Sequence, residues 1–133
     1  MAARPNIILI MTDQQRFDTI GAWGYDYMTT PAQDRLVREG LSFRNAFCPG
    51  ATCVASRAAI FTGMYGHNTG AYSFDHWADH RSWVEDLNDA GYQCVNMGKM
   101  HFAPRDVAGG FHERVIVENP TSKHLDNGQA DDD

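Results

Sequence analysis

Asn6-Ile7-Ile8-Leu9-Ile10-Met11 is a continuous apolar run that stops at Thr12-Asp13. Uninterrupted rather than alternating hydrophobicity predicts a strand buried on both faces, as in a parallel sheet covered by helices. Asp13 then falls at the C-terminal end of that strand, the edge where open α/β sheets bind ligands. Working outward, Thr30-Pro31-Ala32-Gln33 reads as an N-cap, a first-turn proline and a capping-box glutamine. That helix should run to Glu39, with Leu36 and Val37 inward and Gly40 as its stop. Residues 41–47 alternate apolar and polar and predict a short strand, which Pro49-Gly50 breaks. Alanines at 55, 58 and 59 favour a helix over residues 53–61, ended by Gly63. Residues 66–75 lack a period and read as a loop. A second amphipathic helix is expected over residues 79–90, with Trp83, Val84, Leu87 and Ala90 on one side and Gly91 as cap. Residues 92–97 read as another strand. The alternation predicts an α/β fold with a mostly parallel sheet flanked by helices.

The chain has 133 residues and a hydrophobic share of 43%, enough for one compact domain with a core. Residues 1–118 are expected to form it. Residues 119–133 are polar, end in Asp131-Asp132-Asp133, and predict a disordered acidic tail. A net charge of -6 without a basic stripe argues against a nucleic-acid partner. No apolar run approaches the roughly 20 residues of a membrane span, and the run at 7–11 is too short for a signal-peptide core. Cytoplasmic localisation is the resulting expectation. Cys48, Cys53 and Cys94 cannot all pair within one chain and fit no zinc spacing, and Cys94 reads as a small buried hydrophobe.

The chemistry concentrates in Cys53-Val54-Ala55-Ser56-Arg57, followed by Thr62-Gly63. Offsets of three and four put the thiol, the Ser56 hydroxyl and the Arg57 guanidinium on one helical face. Unpaired N–H groups at the helix start attract an oxyanion, so nucleophilic chemistry on an anionic ester is the first reading. Gly98-Lys99-Met100-His101 is the second cluster. On an extended backbone Lys99 and His101 project together, both able to donate to an anion and His101 also able to carry a proton.

Other sites fail on spacing. A phosphatase loop needs arginine six residues after its cysteine, where Cys48 and Cys53 have Val54 and Ala59. His112-Glu113 lacks the second histidine of a zinc-protease helix, and there is no Gly-x-Ser-x-Gly elbow. His76 and His80 have metal-ligand spacing, but Trp77 and Asp79 between them favour an ordinary helix start.

In order and spacing, the Asn6–Gln14 run, the Cys53–Arg57 block with Thr62-Gly63, and Gly98–His101 resemble the N-terminal portion of a sulfatase. The resemblance implies the alkaline phosphatase-like fold and hydrolysis of a sulfate monoester carried by a small molecule or a glycan. It implies that Cys53 is oxidised to formylglycine by a formylglycine-generating or anaerobic maturation enzyme. The hydrated aldehyde then attacks sulfur, and collapse of its second hydroxyl expels sulfate. Asp13, together with the residue at 53, would ligate a divalent metal, Ca²⁺ first and Mg²⁺ or Mn²⁺ as alternatives. Arg57 would hold the formylglycine, while Lys99 and His101 would contact the sulfate and its leaving oxygen.

Three departures bear on this resemblance. Ala55 stands where the commonest modification signal has proline, although a bacterial branch carries alanine. Gln14 stands where many members have a second aspartate; phosphonate hydrolases and choline sulfatases have glutamine, which leaves a phosphonate or phosphate ester open as substrate. Family members are much longer and draw distal metal ligands from an Asp-Asn or Asp-His pair, which Asp126-Asn127-Gly128 imitates only as a turn. The expectation is therefore a truncated N-terminal part, inactive as an isolated chain and prone to self-association through an open sheet edge. A non-catalytic remnant or interaction module is the reading from a different class.

Overall fold

A computed structural model describes residues 4–73, 76–77, 79–102 and 107–117. Its contacts divide into two compact units, Met1–Phe47 and Cys48–Asp133, each taken by itself. The tail at 119–133 and the Asp126-Asn127-Gly128 turn lie outside the described residues.

The first unit is built from turns and one helix. Two 3-10 turns, Phe17–Thr19 and Gly21–Trp23, precede helix α1, Pro31–Glu39. The helix begins at its proline as expected, but the cap is wired differently. Thr30 Oγ1 accepts from the Gly21 N–H at 2.9 Å and donates to Asp34 Oδ1 at 2.8 Å, so it ties the helix to the preceding turn. The Gln33 carboxamide bonds Gln15 instead of closing a capping box. Leu36, expected inward, is 68% exposed because α1 packs on the 21–23 turn through its polar face. Residues 6–11 and 41–47, read as strands, form no ladder in the structure, and Ile8 and Ile10 are 82% and 81% exposed. A lone extended segment has nothing to satisfy its backbone groups as a strand, so these runs need neighbours that the described residues of this unit do not supply.

The second unit carries the core. Helix α2 spans Cys53–Thr62 and ends where Gly63 takes φ +71°, the left-handed cap that a side chain would resist. A four-residue helix α3, Gly66–Thr69, replaces the expected loop start. Helix α4 covers Trp83–Asp89 rather than 79–90. Its start is set by a capping box in which the Ser82 N–H donates to Glu85 Oε2 at 2.7 Å, a Ser-x-x-Glu signature that begins three residues beyond Asp79. Strand β1, Val95–Met97, pairs in parallel with β2, Glu113–Val115, aligning Asn96 with Arg114. The connection, residues 98–112, has the length a parallel crossover needs. Parallel pairing and flanking helices agree with the α/β class.

The core joins Val54, Ala58 and Phe61 of α2 to Ala71, Trp77, Val84, Cys94, Met100 and Phe102. Phe61 is its hub: its ring lies 5.6 Å from that of Trp83, 5.7 Å from Phe102 and 6.2 Å from Trp77. Trp77 and Phe102 stack at 4.6 Å. Cys94 is buried, as expected of a small hydrophobe, and all three cysteines are free thiols. No helix among the described residues is long and apolar enough to cross a membrane.

Candidate active site

Cys53 is the first residue of α2, half-buried and packed against the core. Thr52 caps the helix by accepting the Ala55 N–H on Oγ1, and that hydroxyl also donates to the Tyr72 carbonyl at 3.3 Å. Gly50 lies hard against the same turn. A Cβ there would meet Ala55 Cβ at 2.8 Å and Ser56 N at 2.9 Å, so the approach to Cys53 requires glycine. Cys48 Sγ donates to the Gly50 carbonyl at 2.7 Å and lies 3.1 Å from Ser56 Oγ.

Arg57 is only 6% exposed and donates from Nη1 to the Lys99 carbonyl at 2.5 Å. This bond brings the Cys53 helix and the Gly98–His101 segment together across 42 residues of chain. A charge-assisted bond from a buried guanidinium contributes more than a neutral one and fixes geometry. The segment is held at two further points. Met100 is fully buried in the core, and Trp77, 1% exposed, donates its indole N–H to the His101 carbonyl at 3.1 Å. Gly98 N–H donates to the Val115 carbonyl at 2.7 Å, anchoring the turn to β2.

The backbone through this segment is not extended, which corrects the premise that placed Lys99 and His101 on one side. His101 has φ 56°. Among the described residues, only Gln14 and His101 are non-glycine residues with left-handed φ. Each costs on the order of 1–2 kcal/mol and persists where surrounding contacts over-determine it. One follows Asp13 and the other is itself a candidate residue. Asp13 is exposed and belongs to the first unit, so the structure joins Cys53, Arg57, Lys99 and His101 within one unit and describes Asp13 within the other.

Trp77 is the positioning residue that the sequence reading passed over, since its burial depends on Phe61 and Phe102 from distant segments. His76 sits 3.1 Å from Asp79, and His80 Nε2 contacts the Thr69 carbonyl at 3.1 Å, so this pair faces separate partners rather than a shared ion. Among the described residues no three His, Cys, Asp or Glu side chains cluster to hold a metal.

Comparison with known proteins gives the same direction. The family model described as Sulfatase matches residues 5–131. An arylsulfatase of Clostridium perfringens is 38% identical over 116 residues, which cover 85% of this chain and 24% of the relative. An N-acetylglucosamine-6-O-sulfatase of Bacteroides thetaiotaomicron is 32% identical, covering 97% of this chain and 26% of the relative. A solved structure in complex with its substrate, D-glucosamine-2-N,6-O-disulfate, superposes with a TM-score of 0.78 at 32% identity, covering 84% of this chain and 23% of that one. The chain thus spans about a quarter of the length of the curated relatives it matches. The likeness bears out the alkaline phosphatase-like α/β fold. With the family model matching nearly the whole sequence and the Cys53 and Lys99 segments packed together, the chain belongs to the sulfatase family.

Proposed function

We propose that this chain carries the nucleophile-bearing part of a sulfuric-ester hydrolase, a sulfatase acting on a sulfate monoester of a small molecule or glycan. The observation that supports it most is the Arg57–Lys99 bond, which ties the helix starting at Cys53 to the segment holding Lys99 and His101. Cys53 is the precursor of formylglycine; a maturation enzyme breaks its Cβ–Sγ bond, supplies the oxidant and leaves an aldehyde at Cβ. That aldehyde, once hydrated, supplies a hydroxyl nucleophile for sulfur and a second hydroxyl for release of sulfate. The chain's own residues do the rest. The α2 N-terminus offers N–H groups and a partial positive charge to an anion arriving at residue 53. Arg57 fixes that helix against the Lys99 turn. Lys99 adds positive charge where a leaving oxygen develops negative charge, and His101 carries a proton to it.

A divalent cation, Ca²⁺ by its preference for oxygen, is proposed to take Asp13 as one ligand, with Mg²⁺ or Mn²⁺ as alternatives. The described residues gather too few donors to complete a site. Gln14 favours a second reading, a formylglycine-dependent phosphonate or phosphate ester hydrolase. The exposed aliphatic run at 7–10 supports self-association of the chain.

The test is mass spectrometry of the peptide covering residues 45–57, from protein co-expressed with a formylglycine-generating enzyme and, separately, with an anaerobic maturation enzyme. Cys53 should lose its capacity for thiol alkylation and gain a carbonyl that reacts with a hydrazide. A fully alkylatable thiol in both cultures would overturn the reading. Paired assays with an aryl sulfate and a phosphonate ester, on a converted full-length version, separate the two hydrolase readings.

A further inference from the structure

Two of the three free thiols lie beside the first turn of α2. Cys48 is exposed and Cys53 half-buried, whereas Cys94 is sealed in the core. The chain between the first two bends at residues 49, 51 and 52 and doubles back along the helix. Gly50 passes so close that an added Cβ would stand 2.8 Å from Ala55 Cβ. This fold-back carries Cys48 Sγ to 3.1 Å from Ser56 Oγ, eight positions further along the chain. Ser56 follows Cys53 by three residues, and side chains so spaced on a helix are neighbours, with Cβ atoms about 5–6 Å apart. Cys48 Sγ therefore stands beside the face that Cys53 and Ser56 share. A disulfide needs Cβ atoms about 3.5–4.5 Å apart, and residues 48–52, which belong to no helix or strand, are the element that can adjust to reach it.

We infer that Cys48 is a modification site, the partner in a reversible Cys48–Cys53 disulfide formed by exchange with a low-molecular-weight disulfide such as oxidised glutathione. The exposed Cys48, as thiolate, attacks one sulfur of the reagent, which makes a mixed disulfide and releases one small thiol. Cys53, as thiolate, then attacks Cys48 Sγ and displaces the second small thiol. Two protein thiols are oxidised to one disulfide, the reagent is reduced to two thiols, and the two thiol protons pass to them. While the bond stands, residue 53 has no thiol to convert, and a reducing thiol returns it. That consequence rests on the formylglycine reading; the bridge itself does not.

Tryptic residues 45–57 carry both sulfurs on one peptide, and Cys94 falls on another, residues 82–99. The full chain is equilibrated in graded mixtures of reduced and oxidised glutathione, trapped by alkylation, digested and weighed. Residues 45–57 should appear unalkylated and lighter than the reduced peptide by two hydrogens, while Cys94 stays alkylatable. Closure should be favoured at least about tenfold more in native buffer than in urea, since the fold rather than the short spacing supplies the proximity. Cys53→Ser should trap the mixed disulfide on Cys48. Two alkylated thiols across the whole series, glutathione adducts without closure, equal closure in urea, or a Cys53→Ser chain with no adduct on Cys48 would each overturn the inference. No maturation enzyme enters this measurement. An unconverted Cys53 therefore sinks the hydrolase reading alone, and thiols that do not close sink this inference alone.

Discussion

The two units are held by different forces. Among the described residues, no side chain of the first unit is fully buried; its order comes from hydrogen bonds such as Asp34 to the Ala22 N–H at 2.8 Å and from ion pairs such as Arg16–Asp18. The second unit packs Trp77, Met100, Val54 and Val84 with essentially no exposed surface. Cys53, Arg57, Lys99 and His101 all belong to the unit with the core. The contrast teaches that Cys53, Arg57, Lys99 and His101 are mounted on packed elements, while Asp13 and the long aliphatic run belong to the hydrogen-bonded unit and are exposed.

The sharpest way to break the contrast is to empty the core. Trp77→Ala should destabilise the chain by about 3–5 kcal/mol in urea titrations, since it removes a fully buried ring and the donor to the His101 carbonyl. Arg57→Met should cost about 1.5–3 kcal/mol in the same titration, because the Lys99 carbonyl loses a charged partner. Gly63→Ala forces a side chain into the left-handed cap of α2 and should cost about 1–2 kcal/mol, read as a lower urea midpoint at unchanged slope.

The first unit should respond to pH instead. The Ala22 N–H and then the Thr30 hydroxyl hold the Asp34 carboxyl below the usual carboxylate range. A folded-state pKa lowered in this way contributes stability above the unfolded value, and that stability is lost as pH falls through the lowered value. The Ala22 amide should therefore lose protection on acidification in NMR exchange, and Asp34→Asn should flatten that dependence. The smallest effect on folding is expected from Ile8→Lys with Ile10→Lys. Both side chains are exposed, so stability should move by less than about 0.5 kcal/mol, while the monomer fraction in sedimentation velocity should rise.

The same contrast explains what the sequence could convey. Helix α2 was legible because its signals are local: small residues, Thr52 before it and Gly63 after it. The capping box at Ser82 is equally local, and Ser82 with Glu85 three residues on marks the start of α4 more specifically than Asp79 does. Strand β2 was not legible, since Glu-Arg-Val becomes a strand only through pairing with β1. The run at 6–11 failed in the opposite sense, because its hydrophobicity states a requirement for neighbours without supplying them. At the site, residue types and helical spacing pointed to Cys53 and Arg57, whereas Lys99 and His101 were grouped on an extended backbone that the left-handed φ of His101 contradicts. The Arg57–Lys99 bond and the Trp77 hold on His101 were hidden, since both are long-range contacts.

Hydrogen exchange across the whole chain tests most directly whether the chemistry-bearing segments sit on the packed unit. The amides of α2 and α4 should exchange in one slow, cooperative class, with those of residues 20–40 in a fast class that opens independently. A single protection level across both units, or an α2 that exchanges as fast as α1, would contradict the account.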